Sequence, residues 1–449
     1  MMKLLLTYVV VLLSVLALGT EAKDTVRGRK LDGHETCDFS IKPKPTCASR
    51  RSLKGAKNEK DGGKQGKKGK KGKKHEDSVR FATFNVSLNR FNLGDLAAEL
   101  ASPGSDQPDT VAEIIQRVRP DVLLLNEFDF DFQGAALAGF KANYLEVPHG
   151  DAEPIVYPYS YVAPSNTGIA SGFDYDNNGE VSGGNDAFGF GFFPGQYAMA
   201  VLSMYPIDMD SIRTFQTFKW KDMPCAFLPT DPETGEPWYT PGPELDTFRL
   251  SSKNHIDVPI MIGDETVHLL GSHPTPPVFD GPEDRNGKRN HDEIRFWADY
   301  ISDDPHDSEY IYDDHARTGG IHGEYFVIAG DLNADPFDGD SFNQAADLLL
   351  KHPLVNTDMT PSSEGGTEQS ELQGQANIGQ CGNPAFDTAD FNPANPGNLR
   401  VDYVLPSVEM DIVDSGVFWP LQDDPLFPLA GTFPFPSSDH RLVWVDVTM

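Results

Sequence analysis

Six apolar runs of this chain begin or end on a carboxylate, an amide or an imidazole. FATFN closes on Asn85, VLLLNE on Glu127 and HLLGSH on His273. FVIAGDLN closes on Asp331 and Asn333, RVDYVL carries Asp402, and SSDHRLVWV opens on Asp439 and His440. A single Asp or Asn at such a place ordinarily caps a turn. Six in one chain exceed what turn chemistry needs. Carboxylates and amides are donors for hard cations, and imidazole titrates near neutral pH. If they converge, these groups make a metal-assisted acid–base site.

Convergence requires elements that end in one place. The runs Val79–Val86, Asp121–Phe128, Ala198–Ile207, Thr266–His273, Tyr325–Asp331, Arg400–Leu405 and Arg441–Val447 read as strands. DVLLLNEF and YFVIAGDLN are almost continuously apolar, as expected of central strands covered on both faces. Val111, Ile114, Ile115 and Val118 recur at helical spacing behind a candidate N-cap, Asp109. Ile294, Trp297, Ala298 and Ile301 repeat the pattern. Strands and helices are interspersed, so the fold class is α+β, a layered α/β arrangement. Polar groups at strand ends beside a buried sheet can meet in one crevice without being desolvated inside the core. The Gly/Pro/Asp-rich stretches 150–196, 229–247 and 360–398 read as surface loops.

Charge separates the chain into parts. The whole carries 37 Lys and Arg against 68 Asp and Glu, a net charge of −31. Residues 23–78 hold 18 basic and 8 acidic side chains, whereas residues 79–449 hold 18 and 59, a net of −41. A body this acidic is poorly matched to DNA or RNA, which is bound by neutralising phosphates with a basic face. A small anionic substrate is not excluded.

Residues 1–22 read as a secretory signal peptide: Lys3, an apolar run from Leu4 to Leu18, then small residues to Ala22. An uncleaved signal anchor is the alternative, although the run is short for a membrane span. No transmembrane segment is expected after signal removal, and the expected location is extracellular. Residues 23–78 include KQGKKGKKGKKH and lack hydrophobic periodicity, which reads as a disordered basic arm. It is a solvated linker, an electrostatic tether to an anionic surface, or a propeptide cut at Arg50-Arg51. Residues 79–449 read as one catalytic domain, expected to be a monomer. Of four cysteines, Cys37 and Cys47 lie close together, whereas Cys225 and Cys381 are far apart. Export makes disulfides plausible, and the absence of a CxxC argues against structural zinc.

The polar residues above, in that order, resemble the endonuclease/exonuclease/phosphatase superfamily over nearly all of 79–449. The most specific matches are NE at Asn126-Glu127, GDLN at Gly330–Asn333 and SDH at Ser438–His440; RVDYVLPS and SHPTPP are similar to further family elements. The resemblance implies a four-layer sandwich of two packed β-sheets flanked by helices. It implies a divalent-metal-dependent phosphoester hydrolase, with Mg²⁺ or Mn²⁺ stabilising charge on the phosphoryl group. Glu127 is implied as principal metal ligand, with Asp439 and Asn85 completing the shell. His440, oriented by Asp402, is implied as general base or phosphoryl stabiliser. Asp331 and Asn333 position water and a phosphoryl oxygen, and His273 donates to an oxygen of the substrate. Whether His440 or Asp331 takes the proton stays open.

Three further features stand beside this set. FDYDNNGE places Asp174, Asp176 and Asn178 at alternating positions before Gly179, the first half of a calcium loop; the alternative is a polar turn. Arg285, Lys288, Arg289 and His291 form the densest basic cluster of the acidic body, and Arg285 and His291 are candidate phosphate-binding residues; the alternative is a solvated loop. Asn85-Val86-Ser87 is the one N-glycosylation sequon and coincides with the metal-shell asparagine, so it is expected to be unmodified.

The reading is a secreted phosphodiesterase or phosphatase. Small soluble phosphoesters rank first as substrates, nucleic acid second and phospholipid third. An extracellular nuclease of the same family and a noncatalytic calcium-binding matrix protein are the alternatives.

Overall fold

The structure, a computed structural model, describes residues 37, 40–42 and 78–449. Residues 1–22, expected above to be a signal peptide, and almost all of the basic arm, with Arg50-Arg51 and Cys47, lie outside the described residues. Residue contacts divide the chain into Met1–Ser40 and Ile41–Met449, and every element below belongs to the second unit. Cys37, Cys225 and Cys381 are each disulfide-bonded. Among the described residues no helix is long and apolar enough to cross a membrane.

Thirteen strands build the domain: β1 (Val79–Leu88), β2 (Val122–Phe128), β3 (Tyr159–Ala163), β4 (Met199–Ser203), β5 (Arg213–Thr214), β6 (His255–Ile262), β7 (Glu265–Ser272), β8 (Tyr325–Asp331), β9 (Ala389–Asp390), β10 (Asn398–Leu399), β11 (Asp402–Pro406), β12 (Asp411–Val417) and β13 (Val443–Thr448). One sheet runs β12-β13-β1-β2-β4-β3 and the other β11-β8-β7-β6-β5, with β9 and β10 as a separate ribbon. Pairs β1–β2 and β7–β8 are parallel, the rest antiparallel, so both sheets are mixed.

Alternation along the strands makes the layers. In β1 and β2, Phe81, Val122 and Leu124 pack into a cluster shared with Val258, Leu269, Val327 and Val404 of the opposing sheet. Their neighbours Ala82, Phe84, Leu123 and Leu125 face the other way, against Val111, Ile114 and Ile115 of helix α1 (Asp106–Val118). The second sheet repeats this, with Ile328 and Leu270 packed on Ile294 and Trp297 of helix α2 (Arg285–Tyr300). Helix, sheet, sheet and helix give the four expected layers, and explain the continuous apolar runs: both faces of the central strands are buried.

Four local readings of the sequence are corrected. The N-cap of α1 is Ser105, and Asp109 lies within the first turn. Strand β6, which the sequence reading did not include, carries Asp257 and Pro259 in its middle; Pro259 lies opposite His268 of β7, while β5 pairs only with Ile256 and Asp257. The stretch 360–398 is not all loop, since Ser363 caps helix α3 (Glu364–Gln373) by accepting from Gly366 N. Nor is 150–196 all surface: it contains β3, and Asn166 and Thr167 are fully buried.

One buried histidine ties this core to pH. His255, at the start of β6, donates Nε2–H to the Glu293 carbonyl at 2.8 Å, while Nδ1 faces Ser251 Oγ at 2.6 Å. Burial pulls its pKa down to about 4. The native state therefore binds fewer protons than the unfolded chain between that value and the free-imidazole pKa of roughly 6.5. This contribution is complete above the upper value and is lost as pH falls toward the lower one, by up to about 3 kcal/mol. Urea unfolding at several pH values should show a steeper acid loss of stability in the parent than in His255→Gln.

Candidate active site

The parallel strands β1, β2, β7 and β8 end on one side of the sandwich, where the antiparallel β11 and β13 begin. Asn126, fully buried at the end of β2, joins the two sheets there: its Nδ2 donates to Ser272 O at 3.4 Å, and its Oδ1 accepts from Thr83 Oγ1 at 3.1 Å and Asp331 N at 3.3 Å. Gly330 allows the second sheet to close here, because a Cβ at its φ of 146° would meet Ser272 O at 1.9 Å. Glu127 and Asn333 sit at φ 57° and 52°, left-handed conformations that turn their side chains out of the strand direction.

Asp331 is the hub. Its Oδ2 accepts from Asn85 Nδ2 at 3.0 Å and lies 3.4 Å from His273 Nε2 and 3.7 Å from His440 Nε2. Its Oδ1 accepts from Asn333 N at 2.9 Å. His440 Nδ1 lies 2.9 Å from Asp402 Oδ2, which also accepts from Thr388 Oγ1 at 2.8 Å. Since Thr388 Oγ1 itself accepts from Val401 N and Asp402 N, its own proton is free for the carboxylate. A carboxylate oxygen only accepts, so Nδ1 carries the proton and Nε2 faces the cleft. Asp402 thereby sets the orientation of the ring.

Burial and neighbours push these groups apart in acidity. The Asp402 and Asp331 carboxylates outweigh desolvation and hold His440 well above the ordinary imidazole range. Burial raises Asp331 to about 7 against the pull of His440. Burial, with Lys253 and His440 adding positive charge, drives His273 well down, and its Nδ1 is buried without a partner. Glu127 is raised by burial and then by the Asp439 carboxylate, and accepts from Asn89 Nδ2 at 2.8 Å.

Glu127, His273, Asp331, Asn333, Asp439 and His440 all line one cleft of about 1000 Å³. Asn85 and Asp402 lie beneath it, hydrogen-bonded to its floor. Asn85 is almost wholly buried, so its amide has no room for a glycan. Two carboxylates lining the cleft, Glu127 and Asp439, the second of which raises the cost of ionising the first, present the hard oxygen donors a divalent cation neutralises. Among the described residues the tightest set at the site is Asp331, Asp402 and His440, with ligand atoms within 4.8 Å. Of these, Asp402 Oδ2 is already engaged by His440 and Thr388, which suits orientation better than metal binding.

Lys253 was not visible as a site residue in the sequence. It precedes β6, lines the cleft, is buried, and has no carboxylate within 4 Å among the described residues; its Nζ reaches only Pro274 O at 3.5 Å. Burial lowers its pKa, while Glu293, Glu127 and Asp331 hold it up. In SSKNH a lysine among polar residues reads as solvated, and no local signal marks it.

The remaining candidates divide. Arg285 lines the cleft, but its guanidinium is bonded to Glu283 Oε1. His291 does not line it: its Nδ1 meets Asp292 Oδ1 at 3.0 Å, and its ring packs edge-on to Phe227 and Phe342. Asp174 and Asp176 come together with Asp186, which replaces Asn178 in that cluster. Asn178 N and Gly179 N donate to Asp174, and Asp186 accepts from Tyr175 N and Ser182 N, so the loop closes on its own backbone.

Solved structures similar to the chain include an endonuclease/exonuclease/phosphatase from Beutenbergia cavernae, 17% identical over 83% of this chain and 72% of that one, with a TM-score of 0.43. A family protein from Leptotrichia buccalis is 14% identical, covering 83% and 100%, at 0.40. A sphingomyelinase C from Streptomyces griseocarneus is 16% identical, covering 82% and 99%, at 0.39. No curated protein matches the chain. The model of the endonuclease/exonuclease/phosphatase family, whose members are typically divalent-metal-dependent phosphoester hydrolases, matches residues 82–440, and the chain belongs to that family.

Proposed function

We propose that the chain is a secreted, divalent-metal-dependent hydrolase of small soluble phosphoesters. The observation that carries the reading is the line Asp402–His440–Asp331–His273 along the floor of a cleft that also holds Glu127 and Lys253. The apolar run after Lys3 and the disulfide-bonded cysteines support export.

Glu127, Asp439 and Asn85 are the residues that would hold Mg²⁺ or Mn²⁺, which when bound supplies charge stabilisation at the phosphoryl group. His440, charged at neutral pH and fixed by Asp402, directs Nε2–H at a phosphoryl oxygen. Asp331, with a pKa near neutrality, is placed to orient the attacking water and take its proton. Asn333 is held beside it, its Nδ2 donating to Pro274 O at 3.1 Å. Lys253 adds a fixed positive charge to phosphoryl oxygens in a desolvated place, where it acts more strongly than in water. A net charge of −41 over residues 79–449 favours a small ester that fits the cleft over a long polyanion.

Lys253→Met is expected to lower kcat/KM for bis-p-nitrophenyl phosphate by about 10²-fold. Steady-state kinetics with Mg²⁺, beside a melting curve showing a folded variant, checks it. A change within twofold would remove Lys253 from the machinery.

A further inference from the structure

The ladder between β6 and β7 stops at the pair His255–Ser272, short of the two cleft residues it leads to, Lys253 and His273. Past that pair the backbone N–H groups have no ladder partner, and in a buried place they need an acceptor. Glu293 of α2 supplies it. Its Oε1 accepts from Ser252 N and its Oε2 from Thr275 N, each at 2.6 Å. Ser252 stands directly before Lys253, and Thr275 two places after His273. All five residues are more than nine-tenths buried.

Smaller contacts complete the join. Ser252 Oγ donates to His273 O at 3.3 Å, and Lys253 Nζ and Asn333 Nδ2 both donate to Pro274 O, at 3.5 and 3.1 Å. On α2, Asn290 Nδ2 donates to Thr275 O at 2.8 Å and Leu332 O at 2.9 Å, and Trp297 Nε1 to Ser272 Oγ at 2.9 Å. Positions 290, 293 and 297 are spaced as one face of a helix. The helix thus ties the approach to β6 to the ends of β7 and β8, and Glu293 is the tie that reaches the Lys253 segment.

A neutral acceptor could satisfy two N–H groups, whereas a buried carboxylate is costly unless its charge is used. Burial lowers the Lys253 pKa, and Glu293, ahead of Glu127 and Asp331, holds it up while Arg289 repels it. Glu293 supports Arg289 in the same way. Two histidines stand beside this lysine: His273, which its charge pushes down, and His255, two residues on. We propose that Glu293 is a positioning residue of this site, acting through Lys253: its carboxylate clamps segments 252–253 and 273–275 together on α2, so that the ammonium meets the phosphoryl group at a fixed place. This rests on the reading of the cleft as a phosphoester site.

Two measurements on the full chain test it: kinetics on bis-p-nitrophenyl phosphate with Mg²⁺, and an NMR pH titration of ¹³C-labelled lysine side chains. The Lys253 signal is identified by its loss in Lys253→Met. Glu293→Gln should lower kcat/KM by about tenfold or more in the parent, but by about twofold or less in Lys253→Met. A variant that merely loses folded protein loses the same factor in both backgrounds. Glu293→Asp keeps the charge but is too short to reach both N–H groups, so it should show the same kinetic pattern. The titration separates the two variants. With the anion gone, Lys253 should lose its proton about one pH unit lower in Glu293→Gln, but within about half a unit of the parent in Glu293→Asp. Equal losses in both backgrounds overturn the inference, as does a parent-like kcat/KM in Glu293→Asp, which would leave charge alone. If the parent turns over no ester, the hydrolase reading fails and the titration decides alone. A midpoint that falls in Glu293→Gln and holds in Glu293→Asp keeps Glu293 as the partner of Lys253, and an unmoved midpoint discards it.

Discussion

Replacing His440 with alanine is expected to lower kcat for a phosphoester by about 10³-fold or more, because it removes a charged donor from a desolvated site. The imidazole is held on two sides, by Asp402 at Nδ1 and toward Asp331 at Nε2. Its loss also frees Asp331 from the positive charge that opposes burial. Asp331 should then become a weaker acid, and the residual activity should shift to higher pH. Asp402→Asn tests the orienting half of the pair. An asparagine whose NH₂ faced Nδ1 would impose the other tautomer, and the pH–rate profile should change as well as the rate. If His440→Ala retained a tenth of the parent activity, the assignment of His440 would be wrong.

Glu127→Gln has the second largest expected effect: a fall in kcat/KM of about 10³-fold at low metal, together with weaker metal binding by about 10- to 100-fold. Glutamine keeps the shape and the Asn89 contact but removes the charge that, with Asp439, makes the site a cation site. Burial alone raises the cost of ionising Glu127, so the uncharged variant should be at least as thermally stable as the parent without metal. Added Mg²⁺ should raise the melting temperature of the parent far more than that of the variant. Titrating Mn²⁺ by calorimetry gives the affinity directly, and equal affinities would move the metal away from Glu127.

Most of this centre could be read in the sequence because it is built at the ends of buried strands. A carboxylate or amide that interrupts an apolar run, as Glu127 does after VLLLN, is visible as a break in pattern. The same burial made the four layers legible, since DVLLLNEF and YFVIAGDLN are apolar on both faces. Lys253 gave no such signal, because it stands among Ser252 and Asn254 just before a strand, where lysines are usually solvated. Strand β6 was hidden by Asp257 and Pro259 in its middle, the latter opposite His268. The basic cluster was half legible. Arg285 and Arg289 are four residues apart and share a helix face, whereas His291, two residues past Arg289, points elsewhere. The face that meets the cleft depends on how α2 lies across the sheet, which no local pattern records. The calcium-like loop shows the converse: its motif residues Asp174 and Asp176 meet Asp186, whose nearness follows from the turn and not from spacing.

The most direct test of the central claim is release of p-nitrophenol from bis-p-nitrophenyl phosphate and p-nitrophenyl phosphate by the full chain. EDTA, Mg²⁺, Mn²⁺ and Ca²⁺ are compared, with His440→Ala alongside. The account predicts release with Mg²⁺ or Mn²⁺ that EDTA abolishes and the variant lacks. If both esters stay intact with every metal while calcium still raises the melting temperature, the protein is a calcium-binding protein and not a phosphoester hydrolase.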